Sequence, residues 1–404
     1  MTRGFNRLWA AAGVSNLGDG VFGAALPLLV ASITRDPFLV AGATLAGRLP
    51  WLLFGLISGA LVDRMDRRKV MALTNLLRGV GILILAVAVA ADQVGLAVIY
   101  LLAFGLGLSE TFFDTSSEAI VPALVEADRL PSANARLQAV EFVGNAFVGP
   151  PIGAFLFTVA AAAPFFVDGA LVLVAAVLVF MIPGSFRSEA TETGSVFRGV
   201  SSGLQWLWGQ RVVRTLTFLA GTTNLFTFGI IAIFVLFAQE RLGVSDTGYG
   251  VLLAMLGAGG LVGAMVAPRI VRALGPGNTV RSTLVVQIVG VLVFSQLTHA
   301  VQAGILLFLF AAGTASWNVV AVSLRQSLTP DALRGRVAGA SRTLAWGTQP
   351  LGALLGGAVA SGFGLQAPFY VAGVGLLISM GLAWRVISNQ SIEQARAMVS
   401  AEGR

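Results

Sequence analysis

The chain has 404 residues, 56% hydrophobic and only 11% charged, and a mean hydropathy of +0.85, whereas soluble domains carry about 25% charged residues; an ordinary soluble protein is excluded. It has no cysteine and a single histidine, His299, which argues against disulfides, thiolate metal sites, cysteine nucleophiles and histidine-based centres. The net charge of +7, from 26 basic and 19 acidic residues, resembles a nucleic-acid signal until the charges are placed along the chain.

A helix that crosses a bilayer takes about 20 mostly apolar residues. Lipid offers the backbone no hydrogen-bond partner, so such runs must be helical. Twelve runs qualify: 6–33, 38–62, 70–91, 95–117, 133–158 and 164–183, then 211–239, 247–270, 278–298, 302–325, 336–361 and 365–387. Met1 to Leu8 lead straight into the first run without a small-residue cleavage site, so no removable signal peptide is expected. The expected organisation is a bundle over 1–184, a linker over 185–210, a second bundle over 211–388 and a tail over 389–404. Within the linker, Val196, Phe197, Val200, Leu204, Trp206 and Leu207 recur among Gly, Ser and Gln. That pattern reads either as an interfacial helix or as a flexible connection.

Twenty-two of the 26 basic residues lie in or near the termini and the links 2–3, 4–5, 6–7, 8–9 and 10–11. Arg35 and Arg241 fall in links of the other parity, and Arg48 and Arg78 fall inside spans. The positive-inside rule then places both termini in the cytoplasm. The charge is a topology signal. The two halves also repeat: a shift of 203 residues pairs Thr111 with Thr314, Asp128 with Asp331, Gly144 with Gly347, Gly149 with Gly352 and Gly153 with Gly356. A shift of 204 pairs Gly59 with Gly263. Parallel six-span repeats are a transporter architecture, with the substrate site between the halves.

Ionisable groups inside spans cost about 2.5–3.5 kcal/mol or more at a helix centre and usually face a polar interior. Asp19 lies in span 1, Glu141 in span 5, and Glu110, Asp114 and Glu118 recur every four residues along span 4. Asp19, Glu110, Asp114 and Glu141 are the candidates for carrying a coupled proton; static pairing with Arg48 or Arg78 is the alternative. Asn16, Phe22, Phe113, Asn224, Phe228, Trp317 and Asn318 are the candidates for a large apolar pocket with few polar groups, which suits bulky amphipathic ligands. Gly149, Pro150 and Gly153 form a helix-kink candidate in span 5, since proline removes a helix hydrogen bond and small residues allow close packing.

Link 2–3 reads Gly59-Ala-Leu-Val-Asp63-Arg64-Met-Asp66-Arg67-Arg68-Lys69. It resembles the G-x-x-x-D-R-x-G-R-R/K signature of the major facilitator superfamily in that link, with Asp66 where the family usually has glycine. Ser15-Asn-Leu-Gly-Asp19, Arg48-Leu-Pro50, the segment Leu324 to Arg336 and Trp346-Gly-Thr-Gln-Pro350-Leu-Gly352 look like the branch of macrolide-efflux proteins and the enterobactin exporter. Gly149-Pro150-Pro151-Ile-Gly153 is similar to the core of that superfamily's antiporter motif. The resemblance implies an all-α polytopic fold of 12 transmembrane helices in two pseudo-symmetric six-helix bundles, with spans 1, 4, 7 and 10 lining a central cavity. It implies a cytoplasmic gate of Gly59, Asp63, Arg64, Arg67, Arg68 and Glu118, in which Asp63 caps the N-terminus of span 11. Arg67 is then paired with an acid at the end of span 4, where Glu118 fits.

The resulting expectation is a secondary active transporter in the cytoplasmic membrane: proton-coupled efflux of a drug-like, macrolide or siderophore-type small molecule by alternating access. Nutrient uptake by proton symport through the same fold is the alternative. No phosphate-cradling G-x-x-x-x-G-K-S/T occurs and no enzymatic nucleophile–base set is apparent. The expected chain is therefore a monomeric non-enzyme with no cofactor and no metal, whose partners are a small molecule, protons and lipid, and not nucleic acid.

Overall fold

The computed structural model describes residues 2–62, 65–184, 186, 196–330 and 333–402, with backbone alone for Leu56, Gly59, Ala60, Ala127, 196–202 and 398–402. Asp63 and Arg64 of the expected gate, with the cap assigned to Asp63, lie outside the described residues. The first half holds α1 (Arg3–Ile33), α2 (Pro37–Val62), α3 (Arg67–Ala90), α4 (Leu96–Leu124), α5 (Leu130–Glu141), α6 (Gly149–Val159) and α7 (Ala163–Phe180). The connection contains α8 (Val196–Gly209). The second half holds α9 (Arg211–Ile231), α10 (Phe234–Leu236), α11 (Asp246–Leu274), α12 (Pro276–Phe294), α13 (Ala300–Leu328), α14 (Arg334–Trp346), α15 (Thr348–Phe363), α16 (Ala367–Ala383) and the tail helix α17 (Asn389–Glu402).

Nine helical stretches among the described residues are long and apolar enough to cross a membrane, one of them the composite Leu130–Val159. A tenth is α9 with Phe234–Arg241, bent by 48°. The remaining two expected spans are α14–α15, broken at Gly347, and the shorter α16. Large apolar side chains point outward along the bundle, Leu101 and Leu382 each 72% exposed. Water would penalise such a surface, and hydrocarbon does not.

Local chemistry sets the helix ends. Thr2 accepts from the Phe5 N–H at 3.2 Å to start α1, and Ser245 accepts from the Gly248 N–H at 3.2 Å to start α11. Asp66 starts α3 by accepting from the Arg68 N–H at 3.1 Å. The aspartate that replaces the family's glycine is therefore a helix cap, with φ of −71° that asks nothing of glycine. α12 starts at Gly275, φ +76°, and the tail helix holds that turn: Asn389 accepts from Gly277 N–H at 2.7 Å and donates to the Leu274 carbonyl at 2.9 Å.

Span 5 changes register between α5 and α6. Residues Phe142–Val148 form a π-helical segment, and the Gly149 N–H bonds back to Gly144, five residues earlier. Pro150 and Pro151 have no N–H to return to Ala146 and Phe147, so the widened turn falls where the α-helical bonding pattern fails. The loosened carbonyls of Gly144 and Asn145 lie against Gly20 of α1, and that of Ala146 lies against Gly257 of α11.

The repeat in the sequence has a packing counterpart. A methyl at Gly153 would meet the Val21 carbonyl of α1, and one at Gly149 would meet Gly20. In the second half, Gly356 meets Gly229 and Gly352 meets the Leu225 carbonyl of α9 in the same way. These are the glycines paired by the 203-residue shift. The halves join where α2 packs on α15 and where span 5 packs on α11. Three hydrophobic cores result. One spans both halves at the face opposite the termini, from Leu28, Ile82 and Phe165 to Phe237, Phe294 and Phe369. At the terminal face each half has its own, around Phe5, Met71 and Ile120 in the first and Leu216, Leu284 and Val337 in the second. The bundles are fused at one face and parted at the other.

Candidate functional site

Between the halves lies a cavity of about 270 Å³ whose acidic and basic lining is Asp19, Arg48, Arg78 and Glu110. Glycines bring these groups together. The α4 backbone at Gly107 closes on the Gly47 carbonyl of α2, which sets Arg48 of α2 and Glu110, one turn beyond Gly107, 3.8 Å apart. Gly18 of α1 and Gly79 of α3 allow α7 to pack tightly at Asp168 and Gly169. Each ionisable residue of this seam adjoins a glycine in sequence: Gly18-Asp19, Arg78-Gly79 and Asp168-Gly169. Arg78 pairs directly with Asp19. Asp114, one turn along α4, interacts electrostatically with Glu110, Arg78, Asp19 and Glu141. The acids Asp19, Glu110 and Asp114 outnumber Arg48 and Arg78, and Asp168 adds a further carboxyl behind Asp19. The compartment favours a cation or a proton over an anion.

The other wall is apolar. Phe228 of α9 lies under the Arg48 guanidinium, 5.6 Å from ring centroid to Cζ, a cation–π contact from one half to the other. Ile231, Tyr249 and Leu253 line the cavity and also line a second space of about 160 Å³, closed by Phe234, Phe294, Phe310 and Phe369. Phe22 completes the first compartment and stacks edge-on against Phe165, centroids 5.8 Å apart. An acidic compartment in the first half thus adjoins an aromatic one in the second.

Of the expected pocket residues, Phe22 and Phe228 line the cavity and the others do not. Asn16 donates to the Ala12 carbonyl at 2.8 Å and abuts Gly144 of the π-helical segment. Phe113 belongs to the core of the first half, Asn224 ties α9 to the Ala345 carbonyl at 2.8 Å, Trp317 is buried in the core of the second half and Asn318 is exposed. Asn16, Phe113 and Asn224 lie on helices that line the cavity but on other faces of them, and Trp317 and Asn318 lie on a helix that does not line it. Spans 1, 4 and 7 contribute to the lining as the resemblance implied; spans 2, 3, 5 and 8 do so through Arg48, Arg78, Asn145 and Tyr249, and span 10 does not appear in it. Glu141 is exposed at the end of α5.

At the terminal face the parting is crossed by a fork from Arg342 of α14 to the Glu118 carboxylate, 2.9 and 3.3 Å, beside an edge-on pair of Trp51 and Trp346, centroids 5.1 Å apart. Arg67 reaches the same end of α4, donating to the Ala119 carbonyl at 3.0 Å, and Arg68 donates to Ile182 at 2.9 Å. Glu118 thus carries a latch between the halves. At the opposite face Arg35 donates to Gln239 at 2.5 Å and lies 4.0 Å from Glu240. That contact gives a role to a basic residue which the charge rule left over. Arg342, Trp51, Tyr249 and Asp168 escaped the sequence reading, and Trp346 entered it only as part of a family motif. Asp168 did carry a signal, as the sole ionisable residue in span 6.

Two six-span bundles with repeated glycine contacts around an ion-paired cavity define a membrane transporter of the major facilitator class. Residues 2–401 match the family model described as transmembrane secretion effector, and the chain belongs to that family. It is 30% identical over 388 residues to the multidrug efflux pump Tap of Mycolicibacterium fortuitum, covering 91% of this chain and 92% of that one. To the enterobactin exporter EntS of Shigella boydii it is 24% identical over 383 residues, covering 93% and 89%. Among solved structures, a bacterial homologue of the iron transporter ferroportin in an inward-facing state superposes with a TM-score of 0.72 at 17% identity, covering 98% of each chain.

Proposed function

We propose that this transporter exports an amphipathic, cationic small molecule across the cytoplasmic membrane, driven by protons entering through Asp19, Glu110 and Asp114. The observation that carries the reading is the juxtaposition of the acidic and aromatic compartments, which share Ile231, Tyr249 and Leu253. An apolar cation finds ring faces on one side and carboxylates on the other. A proton and the cation compete for the same negative charge, which is the elementary requirement for exchange. The relatives named as efflux pump and exporter support the outward direction. With the termini in the cytoplasm, the parted face opens inward, and rocking about the α2–α15 and span 5–α11 seams would reverse access.

Ethidium accumulation in an efflux-deficient bacterial host tests this. Energised cells expressing the wild type should hold less dye than vector controls, and an uncoupler should abolish the difference. Asp19→Asn and Glu110→Gln should each lower efflux by about tenfold, the effect of 1.4 kcal/mol, at equal membrane abundance. Undiminished efflux in both variants would remove the proton role, and increased accumulation in wild-type cells would reverse the direction.

A further inference from the structure

Asp168 is wholly buried in α7, and both its carboxyl oxygens lack a hydrogen-bond partner. One of its carboxyl oxygens occupies the place where a Cβ on Gly18 would go, beside Asp19 in sequence. The charged groups it faces are Asp19 from α1 and Arg78 from α3; α6, the third helix packed on α7, and α7 itself present no other charge. Arg78 binds Asp19 through one terminal nitrogen, while its buried Nε has no acceptor. One turn away on each helix, the Ser15 hydroxyl and both polar atoms of Asn75 are also buried without partners. Unsatisfied donors and acceptors therefore collect in one seam between α1, α3 and α7. Each such group has given up its hydrogen bonds to water without gaining others, which is unfavourable, the more so when charged.

We propose that Asp168 is a hidden proton store behind the cavity, and that Arg78 exchanges between Asp19 and Asp168 as one proton moves the opposite way. In the arrangement described here Asp19 is the ionised partner of Arg78, and Asp168 keeps an O–H. In the other, the O–H of Asp168 breaks, one forms on Asp19, and Arg78 pairs with the new Asp168 carboxylate. The exchange itself keeps the trio neutral, with one guanidinium, one carboxylate and one carboxylic acid; loss of the proton from Asp19 to solution leaves two carboxylates on Arg78, and uptake on Asp19 restores the neutral trio. Asp19 lines the cavity and Asp168 does not, so a proton taken up from solution on Asp19 is out of reach of solution once it has passed to Asp168. The inference rests on the proton-coupled reading above, and it assigns the step that holds the proton while access changes.

Infrared spectra of the purified protein in D2O at neutral pH test this without any transported substrate. The wild type should show a carboxylic acid C=O band that disappears in Asp168→Asn. The same band should disappear in Asp19→Asn, because an uncharged residue 19 releases Arg78 to ionise Asp168. Asp168→Asn copies the protonated acid, so it should fold and melt within about 3 °C of the wild type. The double variant Asp19→Asn/Asp168→Asn strands a buried guanidinium and should melt well below either single one. A band that survives Asp168→Asn, a band that survives Asp19→Asn, or an Asp168→Asn protein that fails to fold would each overturn the proposal. Failure of ethidium efflux to respond to the uncoupler would instead remove the proton-coupled reading, and the spectra would still decide the state of Asp168.

Discussion

Arg48 concentrates the chemistry of the site: a carboxylate 3.8 Å away within its own half and an aromatic ring from the other half under its guanidinium. A cation–π contact at a partly exposed site is worth about 0.5–1 kcal/mol. Phe228→Leu should therefore raise the apparent KM for ethidium about two- to fivefold with membrane abundance unchanged, measured by initial efflux rates from preloaded cells. An unaltered KM would remove Phe228 from the binding wall. At this scale the sequence was readable where a side chain is unusual for its surroundings. Asp19, Glu110 and Phe22 line the cavity, the two acids because charge in an apolar span must face something polar. Asn224 and Trp317 were equally conspicuous, yet Asn224 bonds to a backbone carbonyl and Trp317 fills a core. A polar or bulky residue on the correct span can face either way, and only the rotation of the packed helix decides.

Helix pairing depends on glycine. Gly153 and Gly356 occupy matching places in the two halves, each with a facing carbonyl, from Val21 and Gly229, where a Cβ would go. Overpacking of this kind costs about 1–3 kcal/mol. Gly153→Ala and Gly356→Ala should each lower the melting temperature of the purified protein by several degrees, about 2–4 °C per kcal/mol for 150–250 residues. Gly23→Ala, with nothing within 4 Å of the added methyl, should leave it unchanged. Equal melting of all three variants would contradict the close-packing account. The register of the repeat was legible because glycines in phase have no other cause so economical. The π-helical turn at Phe142–Val148 was not foreseen: the two prolines announce a lost hydrogen bond, but whether the helix kinks or widens depends on what packs against it, here Gly20 and Gly257.

The whole molecule is fused at one face and held at the other by small contacts. The Glu118–Arg342 fork is exposed, and exposed pairs contribute about 0.2–1 kcal/mol. Its loss should shift the balance between open and closed terminal faces by no more than about fivefold. The exchanged pair Glu118→Arg/Arg342→Glu should restore what Arg342→Glu alone disturbs, as seen in the distance distributions of spin labels across that face. Recovery is expected only if the two residues act on each other. The arrangement of twelve spans and two halves could be read from hydropathy and charge parity. The latch between the halves could not, because Arg342 and Glu118 are 224 residues apart and belong to separate repeats.

Alternating access is the claim on which the functional account stands, and the absence of native cysteine makes it directly measurable. Spin labels on Ser132→Cys and Gln326→Cys report the terminal face, and labels on Asp36→Cys and Val244→Cys report the opposite face. When protons or ethidium are added to the protein in lipid nanodiscs, the account predicts that one distance shortens in the molecules whose other distance lengthens. Two distances that stay fixed, or that grow and shrink together, would contradict it.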